Sequence, residues 1–241
     1  MKSFLTALQF LTVFPWPYHR EVTAEEIGRS SAFFPLVGFC LGLALLLFNR
    51  LLGPYLPSPL LSVALVSVLV LMTRAFHLDG LGDTFDGLGA KGSREDALAA
   101  MRDSRTGVFG LLAVLLVVIA KVRAIDFLGE GRAQALLVSP LLARWAMVIL
   151  AYGSKAARAG LGQIMAEHVR GKHLLPATLF TLAIVVIFAR PIGLWIALGI
   201  SLFALLSRHY LHRRFGGLTG DMFGAVGELA ETLALAVFAS V

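Results

Sequence analysis

The sequence predicts an all-α protein, a polytopic transmembrane helix bundle of about seven spans with an N-terminal interfacial helix. Of its 241 residues 58% are apolar and only 15% are charged, and the mean hydropathy is +0.81. Soluble domains carry about a quarter charged residues. The apolar residues are concentrated in long stretches. Most of these stretches are close in length to the roughly 20 residues that cross a bilayer. An ordinary soluble domain is therefore excluded.

The apolar stretches give the predicted spans in chain order. They are 33–52, 60–76, 108–128, 133–152, 174–189, 192–207 and a more polar one, 222–241. An earlier patch, 4–14, is too short to cross and ends in Pro15-Trp16-Pro17. We interpret it as an interfacial helix and not as a signal-peptide core, because no small-residue cleavage site follows it. Since no repeat or linker divides the chain, residues 1–241 are predicted to form one integral membrane domain.

Basic residues gather in the connections on one side of the predicted bundle. Those connections include Arg74 and Lys155, whereas the opposite ones hold only Arg50, Arg132 and Arg190. The positive-inside rule therefore places the N-terminus in the cytoplasm and, with seven spans, the C-terminus outside. Topology explains the net charge of +6, so we expect no nucleic-acid partner. We expect a protein of the cytoplasmic (inner) membrane whose active site faces the cytoplasm.

Three aspartates follow the second span at positions i, i+4 and i+7, namely Asp79, Asp83 and Asp86. On a helix they would project within an arc of about 60°. Such carboxylates repel one another, and a divalent cation offsets the repulsion most directly. An all-oxygen ligand set suits Mg²⁺, with Mn²⁺ as the alternative, and indicates phosphoryl-type chemistry. The alternative reading is a solvated acidic loop at the end of a span.

Small residues separate these acids, and a histidine precedes them. Gly80, Gly82 and Gly87 disfavour a helix and leave bare backbone that a large anionic substrate could approach. His77 is either a base or phosphate ligand, or a histidine that reaches the membrane interface.

A basic segment precedes the third span. Arg102 and Arg105 can share a face and bind diphosphate oxygens, and the next helix begins just after Thr106, with free backbone N–H groups. The alternative is that both arginines only anchor the cytoplasmic side.

The last span carries acids into the membrane. Asp221 and Glu228 share a helical face, and Glu231 lies about 60° further round. Carboxylates inside a membrane are costly and usually functional, although a polar contact between helices is the alternative. Arg144, deep in the fourth span, is a plausible partner for one of these acids.

These segments resemble those of the cobalamin synthase family, the adenosylcobinamide-GDP ribazoletransferases. The resemblance rests on residues 8–12 followed by Pro15, on 77–87, on 102–107 and on 220–231. It implies an enzyme that uses Mg²⁺. The 3′-hydroxyl of alpha-ribazole, or of its 5′-phosphate, would attack the cobinamide-side phosphorus of adenosylcobinamide-GDP. The products would be GMP and adenosylcobalamin or its 5′-phosphate, in the last steps of cobalamin biosynthesis.

The resemblance also implies roles for individual residues. The metal ligands would be Asp79, Asp83, Asp86 and Asp221. The base that accepts the hydroxyl proton would be one of Asp83, His77 and Asp103. The phosphate ligands would be Arg102, Arg105, Thr106 and the glycines 80, 82 and 87, with Glu228 and Glu231 as supporting acids. The partners would be the two small-molecule substrates and the lipid bilayer; the resemblance leaves open a homo-oligomer and contacts with other pathway enzymes.

Two other classes remain as alternatives. A CDP-alcohol phosphotransferase also places aspartates and glycines at a membrane boundary, but Lys91 stands where that family has arginine, and its second aspartate pair is missing. A divalent-cation transporter would spread carboxylates through the membrane depth, whereas most of these lie at one end.

Overall fold

The computed structural model describes residues 2–14, 22–189 and 191–241, so Pro15 to Pro17 and Arg190 lie outside the described residues. The regular structure within those ranges is helical, apart from an isolated bridge between Ala156 and Leu218. The α-helices are α1 (Lys2–Leu11), α2 (Ala24–Ser30), α3 (Phe34–Leu52), α4 (Ser58–Met72), α5 (Phe76–Gly89), α6 (Arg94–Ala100), α7 (Val108–Phe127), α8 (Arg132–Ala151), α9 (Leu161–His168), α10 (Gly171–Phe188), α11 (Ile192–Phe215) and α12 (Gly220–Phe238).

The described helices include enough long apolar segments for a polytopic membrane protein. Five segments qualify by length and composition: α2 with α3, α7, α8, α10 and α11. Helices α4 and α5 make a sixth if they form one broken span. Helix α12 has 19 residues, but it carries three carboxylates, Asp221, Glu228 and Glu231. The predicted all-α transmembrane fold is confirmed, and the predicted seven spans agree approximately with this count.

A sharp bend separates α4 from α5. The two helix axes differ by 88°, and Arg74 and Ala75 between them adopt left-handed backbone conformations. The predicted second span runs on to residue 76, whereas α4 ends at Met72. The glycine-rich acidic motif then forms the regular helix α5, although its composition predicts poor helical stability. Packing against α7 and α12 stabilises this helix.

Helix α8 is the centre of the bundle. Every residue from Ala135 to Ala151 is buried. Gly38 and Gly42 of α3 lie against its backbone, because a Cβ atom at Gly38 would be 2.3 Å from the Pro140 carbonyl oxygen and one at Gly42 would be 2.5 Å from that of Leu137. In a bilayer the hydrophobic effect does not drive helices together, so their association depends on close packing. Small residues such as these glycines allow the two backbones to approach.

The N-terminal helix packs into the same bundle. Ala7 and Leu11 of α1 are buried, and the Phe10 ring stacks on Phe34 with ring centroids 5.9 Å apart. The backbone N–H of Val13 donates to the Met72 carbonyl, 2.8 Å away, beside the bend between α4 and α5. Helix α1 therefore supports the segment that carries the acidic motif.

Candidate functional site

Helices α5 and α12 touch through their glycines. A Cβ atom at Gly80 would lie 2.6 Å from the Asp221 carbonyl oxygen, and one at Gly224 would lie 2.9 Å from that of His77. No side chain fits between the two backbones at these points. This approach brings Asp221, far away in sequence, to the face of the acidic motif.

The structure brings the four predicted metal ligands together. Asp79 is exposed, and Asp83, Asp86 and Asp221 are half-buried. The carboxylate of Asp83 lies within electrostatic range of the other three and of the Arg158 guanidinium. Within the described residues, no three His, Cys, Asp or Glu side chains are arranged to hold a metal ion by themselves. The site is a cluster of like charges and not a complete coordination shell.

The side chain of Asp86 is anchored to the start of α7. Its two oxygens accept hydrogen bonds from the backbone N–H groups of Gly107 and Gly110, at 2.7 and 2.8 Å. A negative charge is favourable at a helix N-terminus, where backbone N–H groups lack partners. Each oxygen retains a further lone pair that could bind a cation. Sequence reasoning missed this cap, whose signal is the pair of glycines at the start of an apolar span.

Arg158, in the connection between α8 and α9, forms an ion pair with one acid of this cluster, Asp221. Its Nη2 atom donates to Asp221 over 3.2 Å, and its Nη1 atom donates to the Leu98 carbonyl over 3.2 Å. The Thr219 hydroxyl donates to the same Asp221 oxygen over 3.1 Å. Sequence reasoning did not place Arg158 in the site, because nothing in its local sequence indicates Asp221 as a partner.

The predicted phosphate-binding segment is an exposed loop between α6 and α7. Arg102, Arg105 and Thr106 are all exposed, and Gly107, the next residue, bonds to Asp86. Arg105 donates to both carboxylate oxygens of Asp103, over 3.1 and 2.8 Å. These hydrogen bonds lower the pKa of Asp103 to about 2, so it is a poor proton acceptor near neutral pH.

The structure places His77 in a buried charge network and not on the exposed face of the cluster. His77 is 2% exposed, and its Nδ1 atom lies 3.4 Å from Nη2 of Arg144. Arg144 also donates to Glu231. The sequence predicted Arg144 as a partner for one of the acids of the last span. Lys121 contacts both Glu231, at 2.7 Å, and Glu228, at 2.5 Å. Substrate cannot reach His77 without rearrangement of this network.

The network is neutral because two cations face two carboxylates. These four charged residues come from α7, α8 and α12, and each is at most 6% exposed. Charged groups in a bilayer are expensive unless they are paired. Glu228 and Glu231 therefore form polar contacts between helices. This is the alternative that the sequence left open beside a functional role. The participation of Lys121 was missed, although a lysine inside a mostly apolar 20-residue helix was a signal for it.

Packing explains two of the glycines assigned to phosphate. Gly80 faces the α12 backbone, and a Cβ atom at Gly87 would lie 2.5 Å from the Met101 side chain. At Gly82 the nearest neighbouring atom would be 3.7 Å away, in Val114. All three glycines are buried. Gly80 and Gly87 therefore serve helix packing, and neither leaves backbone open to a phosphate.

The glycine contact gives a first prediction. Gly80→Ala places a methyl group 2.6 Å from a backbone oxygen of α12 and should force α5 and α12 apart. Overpacking of this kind costs about 1–3 kcal/mol. We expect a lower unfolding midpoint in detergent and weaker binding of Mn²⁺ at the cluster. The matched control is Gly199→Ala, which meets nothing within 4 Å and should lower neither, since alanine favours a helix more than glycine does. Equal behaviour of the two variants would contradict the packing role.

Comparisons with known proteins agree with one another. A family model described as cobalamin-5-phosphate synthase matches residues 3–239. A protein of Syntrophobacter fumaroxidans, named adenosylcobinamide-GDP ribazoletransferase, is 43% identical, covering 98% of this chain and 97% of its own. Proteins of the same name from Geotalea daltonii and Pseudomonas putida are each 40% identical, covering 98% and 96% of this chain and 96% and 95% of their own. No solved structure matches the chain.

Proposed function

We propose, because this chain belongs to the cobalamin-5-phosphate synthase family, that it catalyses the reaction for which its relatives are named. It joins alpha-ribazole, or its 5′-phosphate, to adenosylcobinamide-GDP and releases GMP. The observation that carries this proposal is the meeting of Asp221 with the three aspartates of α5. Four carboxylates within electrostatic range of Asp83 or at Asp83 itself are suited to metal-assisted chemistry on an anionic diphosphate.

The reaction exchanges one phosphorus–oxygen bond for another. The 3′-hydroxyl oxygen of the ribazole bonds to the cobinamide-side phosphorus, and the bond from that phosphorus to the bridging oxygen breaks. GMP leaves with the bridging oxygen and its electron pair, and the hydroxyl proton passes to a base. Asp83 is the best-placed base of the three predicted, because His77 is buried and Asp103 is bound to Arg105. Arg102 and Arg105 are exposed in the loop that ends at the Asp86 anchor, and in this proposal they hold phosphate oxygens.

The donor chemistry of the cluster fits Mg²⁺, with Mn²⁺ as the alternative. Asp79, Asp83, Asp86 and Asp221 offer only carboxylate oxygens, which hard cations prefer. Magnesium usually takes one or two protein carboxylates and completes its shell with water and substrate phosphates, so a complete protein shell is not required. When bound, the ion neutralises negative charge on the diphosphate and on the departing GMP. Asp86 remains fixed by α7 and would orient the other ligands.

The charge distribution supports a site at the cytoplasmic face of the inner membrane. The connection that carries Arg102 and Arg105 lies on the side richest in Lys and Arg. The acidic end of α5 and the start of α12 lie on that same side. We therefore propose that both substrates enter from the cytoplasm.

The test is release of GMP by the protein purified in detergent. Adenosylcobinamide-GDP should yield GMP only when alpha-ribazole or its 5′-phosphate and Mg²⁺ are both present, and EDTA should abolish the release. Omitting the ribazole is the control for simple hydrolysis. If no ribazole-dependent GMP forms from folded protein, the proposed reaction is wrong. If GMP forms equally well in EDTA, the reaction stands and the metal role fails.

A further inference from the structure

A cavity of about 260 Å³ lies directly beside Asp221. It is bounded by Arg158 and Asp221, by the start of α9 at Gly160 to Gly162, and by Phe76 at the start of α5. Ligand pockets for whole small molecules span roughly 300–1,000 Å³, so a corrinoid cannot fit here. A ribose with its phosphate is of a suitable size, and the guanidinium supplies the charge that would select it.

The guanidinium of Arg158 is only partly committed in the structure. One terminal nitrogen donates to Asp221 and the other to the Leu98 carbonyl, each over 3.2 Å, at the long end of the normal range. The arginine side chain is 21% exposed, so it is not locked inside the protein. A guanidinium carries five N–H donors, and two long bonds leave donors free for a planar anion.

We infer that Arg158 is a substrate-binding residue that holds the phosphate of a ribose phosphate in the cavity beside Asp221. The inference rests on the proposed function, because it takes Asp221 as a cation ligand. Without a cation Arg158 neutralises Asp221, and a cation bound by the cluster takes over that task. The freed guanidinium then turns to the phosphate. Two substrates carry such a group: the 5′-phosphate of the acceptor and the guanosine diphosphate of the donor.

This exchange predicts opposite effects on two ligands. Arg158→Gln removes the positive charge that competes for Asp221, so Mn²⁺ should bind about 3- to 10-fold more tightly. The same change removes charge-assisted hydrogen bonds to phosphate, so a ribose phosphate should bind about 10- to 100-fold more weakly. A purely structural role for Arg158 would weaken both. Arg158→Lys keeps the positive charge but loses the paired N–H donors of the planar guanidinium. The phosphate affinity of this variant should be intermediate.

The experiment measures binding of Mn²⁺ by electron paramagnetic resonance and of ribazole 5′-phosphate by titration calorimetry, on the full chain in detergent. Lys155→Gln is the matched control, because it removes an exposed charge from the same connection without touching the cavity. It should match the parent protein in both. Weaker Mn²⁺ binding in folded Arg158→Gln overturns the inference, as does unchanged binding of ribazole 5′-phosphate together with an unchanged KM for adenosylcobinamide-GDP.

Steady-state kinetics identify the source of the phosphate. If KM rises for ribazole 5′-phosphate and not for ribazole, the cavity binds the acceptor. If KM rises for adenosylcobinamide-GDP with either acceptor, it binds the donor. Each result supports a phosphate site at Arg158, and no rise in any KM contradicts it. If the parent protein is active and the Arg158→Gln variant is unaffected, the phosphate site is wrong and the proposed reaction stands. If the folded parent protein is inactive, the proposed reaction itself is wrong.

Discussion

Asp83→Asn is expected to abolish ribazole-dependent GMP release while the protein still inserts and folds. The substitution keeps the size of the side chain and removes one negative charge from the centre of the four acids. Loss of a partner outside the immediate metal shell typically costs 10- to 100-fold in metal affinity or activity, so loss of a ligand or base should cost at least about 100-fold. The measurement is GMP release at saturating Mg²⁺, together with Mn²⁺ binding.

The stability of this variant distinguishes chemistry from folding. Asp83 repels its three acidic neighbours, so its neutralisation should leave the unfolding midpoint unchanged or raise it slightly. Glu95→Gln, in the exposed first turn of α6, is the control and should keep full activity. Retained turnover in Asp83→Asn would remove this residue from the proposed site. Lost turnover with a collapsed midpoint would show instead a structural role.

The acidic motif illustrates how far the sequence predicts the site. The spacing of Asp79, Asp83 and Asp86 follows from helical geometry alone, so their common face was predictable. The bend that aims this face was not, because Arg74 and Ala75 are residue types that rarely adopt left-handed backbone conformations. Such a bend is stabilised by contacts of the whole bundle and leaves little local signal.

Contacts between distant segments are the other limit. Family resemblance, not spacing, suggested that Asp221 joins the motif, and the physical reason is a glycine contact that involves Gly80. From the sequence, Gly80 was interpreted as open to substrate. A glycine without a side chain can accommodate either a ligand or a neighbouring helix, and the sequence does not distinguish the two. Arg158 lies 63 positions from Asp221, and no periodicity links them. Only the folded chain shows that they meet.

Glu231→Gln is expected to be the most destabilising conservative change in the membrane part of the chain. Glu231 is 1% exposed and accepts hydrogen bonds from both Lys121 and Arg144. Its neutralisation leaves two buried cations with the single carboxylate of Glu228, and removing one partner from a buried ion pair costs about 3–5 kcal/mol. The unfolding midpoint in detergent should fall sharply. Activity should fall with it, because Arg144 also contacts His77 at the start of α5.

The two carboxylates of the network provide an internal control. Glu228 contacts Lys121, whereas Glu231 bridges Lys121 and Arg144, so Glu228→Gln should lower the midpoint by clearly less. Arg144→Met combined with Glu231→Gln restores neutrality and leaves the paired Lys121 and Glu228, and should recover part of the loss from Glu231→Gln. If Glu228→Gln and Glu231→Gln lower the midpoint equally, the bridging role of Glu231 is wrong. A double variant worse than the sum of its single variants would show that packing, and not charge balance, sets the stability of this network.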